Sequence, residues 1–303
     1  MNAASPRSTP ALEIPIRQLE AIRAQAVAIA RGAGAILREG LRQIEAQREG
    51  VMVRYKSSDA DPVTEFDHLS EAFIVEALQR TFPGHRIVGE EGGRYASQEG
   101  AELSASAADD LASAHSTLDP QFEWQVDPLD GTVNFAHGFP VFAVSLGLLI
   151  GGTPVIGVVY NPISDELFSA VRERGATLND KPIRVSRTHP LSRALLNTGF
   201  PYDRHTSDDN NFAHFLAFQR RAQGVRRVGS AALDLCTVAC GRMDGYWELK
   251  IQPHDIAAGI VIVREAGGVV TDFDGGHEMF ARGQAVASNG LIHQEMLDVL
   301  HGR

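Results

Sequence analysis

The stretch Asp127-Pro128-Leu129-Asp130-Gly131-Thr132 gathers more chemistry than any other in the chain. A proline-stiffened turn holds two carboxylates close together, and the Leu129 carbonyl adds a neutral oxygen. Magnesium asks for oxygen ligands in near-octahedral geometry and shares its shell among a few carboxylates, waters and substrate phosphate. Gly131 lets backbone approach an anion closely, and consecutive N–H groups at a helix start, here those of Gly131 and Thr132, favour phosphate. The Thr132 hydroxyl can orient a nucleophilic water. Other acidic residues stand at the ends of ordered stretches beside glycine or proline: Glu90-Glu91 in GEEGG, and Asp255 just after Pro253.

Taken singly, each of these has an ordinary explanation. Asp-Gly is a common turn, and a Glu pair is usually a solvated loop. Asp255 in a first helical turn complements the helix dipole. Thr64 and Asp67 fit the capping-box pattern, which is sufficient reason for both. Their joint occurrence carries the weight, because surplus buried carboxylates are costly unless a cation neutralises them. Two competing patterns are set aside. Asp272-Phe273-Asp274-Gly275-Gly276 begins like a calcium loop but lacks the later ligands and closing Glu, so it reads as a strand-end turn. DPLDGT is similar to the DxDGT of haloacid-dehalogenase phosphatases, but its two Asp are three apart and lie mid-chain.

Positioning these residues takes a framework, and hydrophobic periodicity supplies one. Ile16 to Ile44 reads as a long amphipathic helix. Thr64 opens a second, with Phe66, Leu69, Phe73, Ile74, Ala77 and Leu78 on one stripe, stopped by Pro83-Gly84. A short strand, 86–88, runs into GEEGG. Residues 94–122, rich in Ala, Ser, Asp and Glu, read as a mobile surface insertion. VFAVSLGLLI and VIGVVY, joined by GGTP, form a hairpin, and ELFSAVRERGATLNDKPI continues the sheet. After Arg187 strands and helices alternate. The chain is thus expected to join an α+β part with antiparallel sheet (16–187) to an α/β part (188–303) in one catalytic unit, behind a disordered, Pro/Ser-rich tail (1–15).

The composition is that of a globular protein with a sizeable core: 303 residues, 44% hydrophobic and 22% charged. A net charge of −10 argues against a general electrostatic grip on nucleic acid or anionic membrane. Arg220-Arg221 and Arg226-Arg227 read as helix-end or strand-edge charges. No run reaches the ~18 apolar residues of a membrane span, and the first residues lack the apolar core of a signal peptide. Cys236 and Cys240, four apart on a helix, read as small buried apolar residues rather than a disulfide or zinc site. Such cysteine usage suits a reducing cytoplasm.

In order, GEEGG, WQVDPLDGTVNF, GSAALDL and PHDIAAG…REAGG resemble the four motifs of the inositol monophosphatase family, a likeness that spans about residues 16 to 300. The resemblance implies a layered αβαβα sandwich, usually a homodimer, performing metal-assisted hydrolysis. It assigns Glu90, Asp127, Asp130, Asp255 and the Leu129 carbonyl to as many as three magnesium ions. Glu91, Thr132 and Asp67 match residues that position or activate water, and Gly229, Ser230, Ala231 and Glu248 match positions that touch the polyol. Where the family often has Trp before its last metal ligand, this chain has His254, expected to pack in its place, with contact to substrate as the alternative.

The expected activity is magnesium-dependent hydrolysis of a small polyol phosphate, with myo-inositol 1-phosphate first, since DGTVNF favours that branch over the nucleotide branch's DGTKEF. Histidinol phosphate, fructose 1,6-bisphosphate or another sugar phosphate, and 3′-phosphoadenosine 5′-phosphate are the neighbouring substrates. The alternative from another class is a regulatory protein that binds the transcription machinery, a role held by some bacterial relatives.

Overall fold

Small and branched apolar residues at helical spacing wind the first long stretch into α1 (Ile16–Ala46), with Leu19, Ile22, Ala26, Ile29, Ala30, Ala33, Leu37 and Leu41 buried along one stripe. The computed structural model describes residues 14–46, 53–55, 62–90, 93–95, 102–103 and 121–303. The 1–13 part of the expected tail, Glu91, and most of the 94–122 insertion therefore lie outside the described residues. Two short strands, β1 (Val53–Tyr55) and β2 (Pro62–Thr64), pair antiparallel ahead of α2 (Glu65–Thr81). Thr64 caps α2 as expected: its N–H donates to Asp67 Oδ2 at 2.8 Å.

One expectation for α2 fails. Leu69 and Phe73 are 51% and 38% exposed, while Asp67, Ser70 and Glu71 are buried beside Phe66, Ile74, Ala77 and Leu78. The inner face of α2 serves the site as well as the core. Ser70 Oγ donates to the Pro128 carbonyl at 2.8 Å, tying the helix to the DPLD turn.

The first large sheet comprises β3 (Arg86–Gly89), β4 (Arg94–Tyr95), β5 (Glu102–Leu103), β6 (Phe122–Asp130), β7 (Ala143–Ile150), β8 (Thr153–Asn161), β9 (Glu166–Val171), β10 (Ala176–Leu178) and β11 (Lys181–Pro182). The one-turn α3 (Thr132–Ala136) leaves the end of β6. Strand order is β11-β10-β9-β8-β7-β6-β3-β4-β5, antiparallel except where β3 runs parallel to β6. The ladder between β6 and β7 breaks register between Asp127 and Asp130, so the DPLD turn bulges from the sheet.

Next come β12 (Leu195–Thr198), α4 (Phe212–Arg221), β13 (Gly224–Arg226), α5 (Ala231–Ala239), β14 (Gly245–Leu249), α6 (Pro253–Glu265), β15 (Val269–Thr271), α7 (Met279–Arg282), β16 (Gln284–Ser288) and α8 (His293–Leu300). Their strands form a second sheet, β13-β12-β14-β16-β15, parallel at β12 and antiparallel around β16. The α/β expectation accounts for the parallel half. The antiparallel half depends on β16, whose QAVAS is too short and Ala/Ser-rich to read as a strand.

The layers follow from which faces are apolar. α1 and α2 cover one face of the first sheet, α5 and α6 fill the space between sheets, and α4 and α8 close the second. This is an αβαβα sandwich with three apolar clusters between its layers. α6 lies so close to the first sheet that a Cβ at Gly157 would sit 2.2 Å from the Ala258 carbonyl oxygen. Among the described residues no helix is long and apolar enough to cross a membrane.

Candidate active site

Strand ends and helix starts converge on one cavity of about 380 Å³. β3 brings Glu90 to its wall, β6 brings Asp127, Leu129 and Asp130, and the turn into α3 brings Gly131 and Thr132. The α5 start adds Gly229, Ser230 and Ala231, β14 adds Glu248, and α6 adds Asp255. Asp67 stands behind Thr132, fully buried. Of the expected site residues, Glu91 alone lies outside the described residues.

Thr132 Oγ1 is 3.0 Å from Asp67 Oδ1 and 3.0 Å from the Leu129 carbonyl, so the capping carboxylate of α2 also holds the hydroxyl that lines the site. Asp127 Oδ1 accepts from the Leu129 N–H at 3.0 Å, which fixes the turn. Asp130 accepts from Ser230 Oγ (2.5 Å), Ala231 N (3.1 Å) and Ala232 N (2.8 Å). Asp255 Oδ2 accepts from Gln252 N at 2.7 Å. Gly131 has φ +100°, and a Cβ there would lie 3.0 Å from the Val141 carbonyl, so only glycine fits this corner.

The carboxylates are held at a price in charge. Burial, then repulsion from Glu90, Asp130 and Asp255, pushes Asp127 well above the usual carboxylate range. Burial lifts Asp130 to about 7 despite its three donors, and lifts Asp67 to about 6.

Sequence reasoning missed several neighbours. Arg227, read as a strand-edge charge, lines the cavity instead. Its position two residues before Gly229 was the available signal. Asp234 also lines the cavity, buried, with Asn197 Nδ2 donating to its Oδ1 at 2.9 Å. It lies one helical turn beyond Ser230 and so shares its face. Asn134 Nδ2 donates to the Val141 and Val228 carbonyls at 2.7 and 2.9 Å, fastening α3 to the loop before Gly229. His254 does more than pack: it lines the cavity with Nε2 3.4 Å from Asp255 Oδ1. Asp272 accepts from the N–H groups of Asp274, Gly276 and Glu278, as a strand-end turn should. The cysteines are free, with Cys236 buried and Cys240 half-buried.

The model of the inositol monophosphatase family matches residues 18–302. The chain belongs to that family. It is similar to the inositol-1-monophosphatase of Synechocystis, 48% identical over 82% of this chain and 79% of that one. It is also similar to Nus factor SuhB of Pasteurella multocida, 40% identical over 90% and 93%. Among solved structures, an inositol monophosphatase from Anabaena superposes with a TM-score of 0.78 at 42% identity, covering 94% of this chain and 97% of that one. As an inositol monophosphatase homologue it is a phosphoric monoester hydrolase of a metal-dependent family.

The residues present fit a hard divalent cation. The donors are carboxylate and carbonyl oxygens, and burial together with repulsion from its neighbours already raises Asp127, which a cation would relieve. Among the described residues no three His, Cys, Asp or Glu side chains converge tightly enough to form a ready-made cage. Asp130 is drawn instead onto the start of α5, and Asp255 onto its own helix start.

Proposed function

We propose that this protein hydrolyses a small polyol monophosphate, myo-inositol 1-phosphate before others, with magnesium. The carrying observation is the Thr132–Asp67 contact at 3.0 Å within a wall of buried carboxylates. The Synechocystis relative's name supports the choice of substrate.

Glu90, Asp127, Asp130, Asp255 and the Leu129 carbonyl would hold magnesium. When bound, magnesium supplies positive charge that polarises the phosphate and acidifies water. The N–H groups of Gly131 and Thr132 hold phosphate at the start of α3. Thr132 Oγ1 orients the attacking water, a role the family resemblance gives to Glu91 as well. Asp67, which accepts from Thr132 Oγ1, takes the proton relayed through Thr132. Glu248 and Gly229 receive the polyol. Ser230 and Ala231, whose donors are taken by Asp130, shape its pocket.

The same reading includes a cytoplasmic homodimer, with 16–187 and 188–303 as two parts of one catalytic unit. Phosphate release from inositol 1-phosphate, histidinol phosphate, fructose 1,6-bisphosphate and 3′-phosphoadenosine 5′-phosphate, with magnesium and with chelator, tests it. Chelator-sensitive turnover fastest on inositol phosphate supports it, and preference for another ester keeps the site but moves the substrate. A second reading, a regulatory protein bound to the transcription machinery, is favoured by relatives named Nus factor SuhB. A stoichiometric macromolecular partner in a pull-down, with no turnover of any ester, would put it first.

A further inference from the structure

Tyr246 and Glu248 are two apart on β14 and therefore point to the same side of the sheet. Tyr246 is fully buried, whereas Glu248 reaches the cavity. Tyr246 Oη donates to Glu248 Oε2 at 2.7 Å. No other group among the described residues hydrogen-bonds to this carboxylate, so Oε1 keeps its accepting capacity. The carboxylate lies flat against Gly199, the residue that follows β12. A Cβ on Gly199 would stand 2.0 Å from Glu248 Oε1 and 2.2 Å from Oε2. Gly199 has no positive φ, so the close approach, not backbone conformation, is what excludes a side chain here.

Such a clamp answers an electrostatic problem. Glu248 shares its surroundings with Asp234, Asp130 and Asp255, and Arg227 is the counterweight. An unrestrained carboxylate among like charges would rotate away from them, and with it the acceptor offered to a ligand. Burial and the neighbouring carboxylates push the Tyr246 phenol well above its usual range, so it keeps the proton it donates.

We propose that Tyr246 is a positioning residue for substrate selection: it fixes Glu248 against Gly199 so that Oε1 accepts from a hydroxyl of the leaving polyol. This rests on the phosphatase reading, and its test separates the two. Full-length wild type, Y246F, E248A and Y246F/E248A are assayed with magnesium on inositol 1-phosphate and on 4-nitrophenyl phosphate, whose leaving group has no alcohol hydroxyl for Glu248. A hydrogen bond to a charged group governs about tenfold in binding, so Y246F should lower the ratio of kcat/KM between the two esters about tenfold. The loss should lie in KM for the polyol ester rather than in kcat. In the E248A background the same substitution should change the ratio no further, because the two residues act as one unit. An unchanged ratio in Y246F, or losses that add in the double variant, would overturn the proposal. If Y246F fails to fold, G199A carries the same prediction, since its methyl displaces the carboxylate while leaving the phenol in place. Wild type that turns over neither ester overturns the phosphatase reading and the proposal together.

Discussion

Ser230 Oγ donates to Asp130 Oδ2 at 2.5 Å, joining residues a hundred positions apart. With the Ala231 and Ala232 N–H groups, it seats the Asp130 carboxylate on the first turn of α5. That turn concentrates unpaired N–H groups and the positive end of the helix dipole, where an anion is favoured. The bulged end of the first sheet is thereby fastened to the helical layer beneath the second. Neither half of the chain holds the carboxylate wall alone.

Ser230→Ala should weaken magnesium binding about 10- to 100-fold, the usual effect of removing a group that orients a metal ligand. Calorimetric titration of chelated protein with magnesium measures it directly. An affinity equal to wild type would make Ser230 a spectator at the metal wall.

Asp67→Asn keeps an oxygen that can accept from the Thr64 N–H, so α2 should lose less than about 1 kcal/mol of capping. It removes the proton acceptor behind Thr132, and kcat should fall about 10²- to 10⁴-fold. Steady-state kinetics with a thermal melt on the same sample separate the two effects. A tenfold loss or less in kcat would count against a role for Asp67 in handling the proton.

Asp127→Asn should abolish turnover and leave the fold intact. It also removes a buried carboxyl whose ionisation is opposed by burial and by Glu90, Asp130 and Asp255, so in chelator the variant should melt above wild type. Substantial activity in the folded variant would sink the ligand assignment.

Much of this was legible because the chemistry is punctuated by backbone. GEEGG, DPLDGT and the Pro253 turn announce element ends, and those ends are where the sheets and helices deliver side chains. The long helix and the hairpins were legible from periodicity. What escaped is what periodicity does not encode. Leu69 and Phe73 look like core by spacing, yet α2 turns Asp67, Ser70 and Glu71 inward because Pro128 and Thr132 need partners. Arg227 looked like a surface charge because nothing local reveals that β13 ends at the cavity rim. Asp234 sits in an otherwise apolar helix, and only the packing of Asn197 and Glu248 around it discloses its role in the wall.

The raised carboxylates set the sign of a pH dependence in the absence of metal. Asp67 stands at about 6, and Asp130 and Glu248 at about 7, all above their ordinary values chiefly through burial. At these three groups the folded chain binds more protons than the unfolded chain between about pH 4 and 7, and the stability they contribute falls as pH rises through that window. His293, lowered to about 4 by burial, opposes them with a single step. Each group contributes at most about 1.4 kcal/mol per pH unit. Chelated protein should melt at a higher temperature at pH 5 than at pH 8, and saturating magnesium should flatten the difference. Scanning calorimetry at the two pH values decides it, and a melting temperature that rises with pH in chelator would contradict it.

Gly157→Ala tests whether the close seat of α6 matters to the site. A Cβ there meets the Ala258 carbonyl oxygen at 2.2 Å and its carbon at 2.9 Å, both backbone atoms that cannot rotate aside. The helix must lift from β8, at a cost of about 1–3 kcal/mol. Because Asp255 lies one turn earlier on the same rigid helix, the displacement should reach the carboxylate wall. The expected outcome is a lower melting temperature together with weaker magnesium binding, read by scanning and titration calorimetry on the same preparation. A drop in melting temperature with unchanged magnesium affinity would mean that α6 yields locally at Ala258 and that Asp255 is held by its own first turn rather than by the sheet.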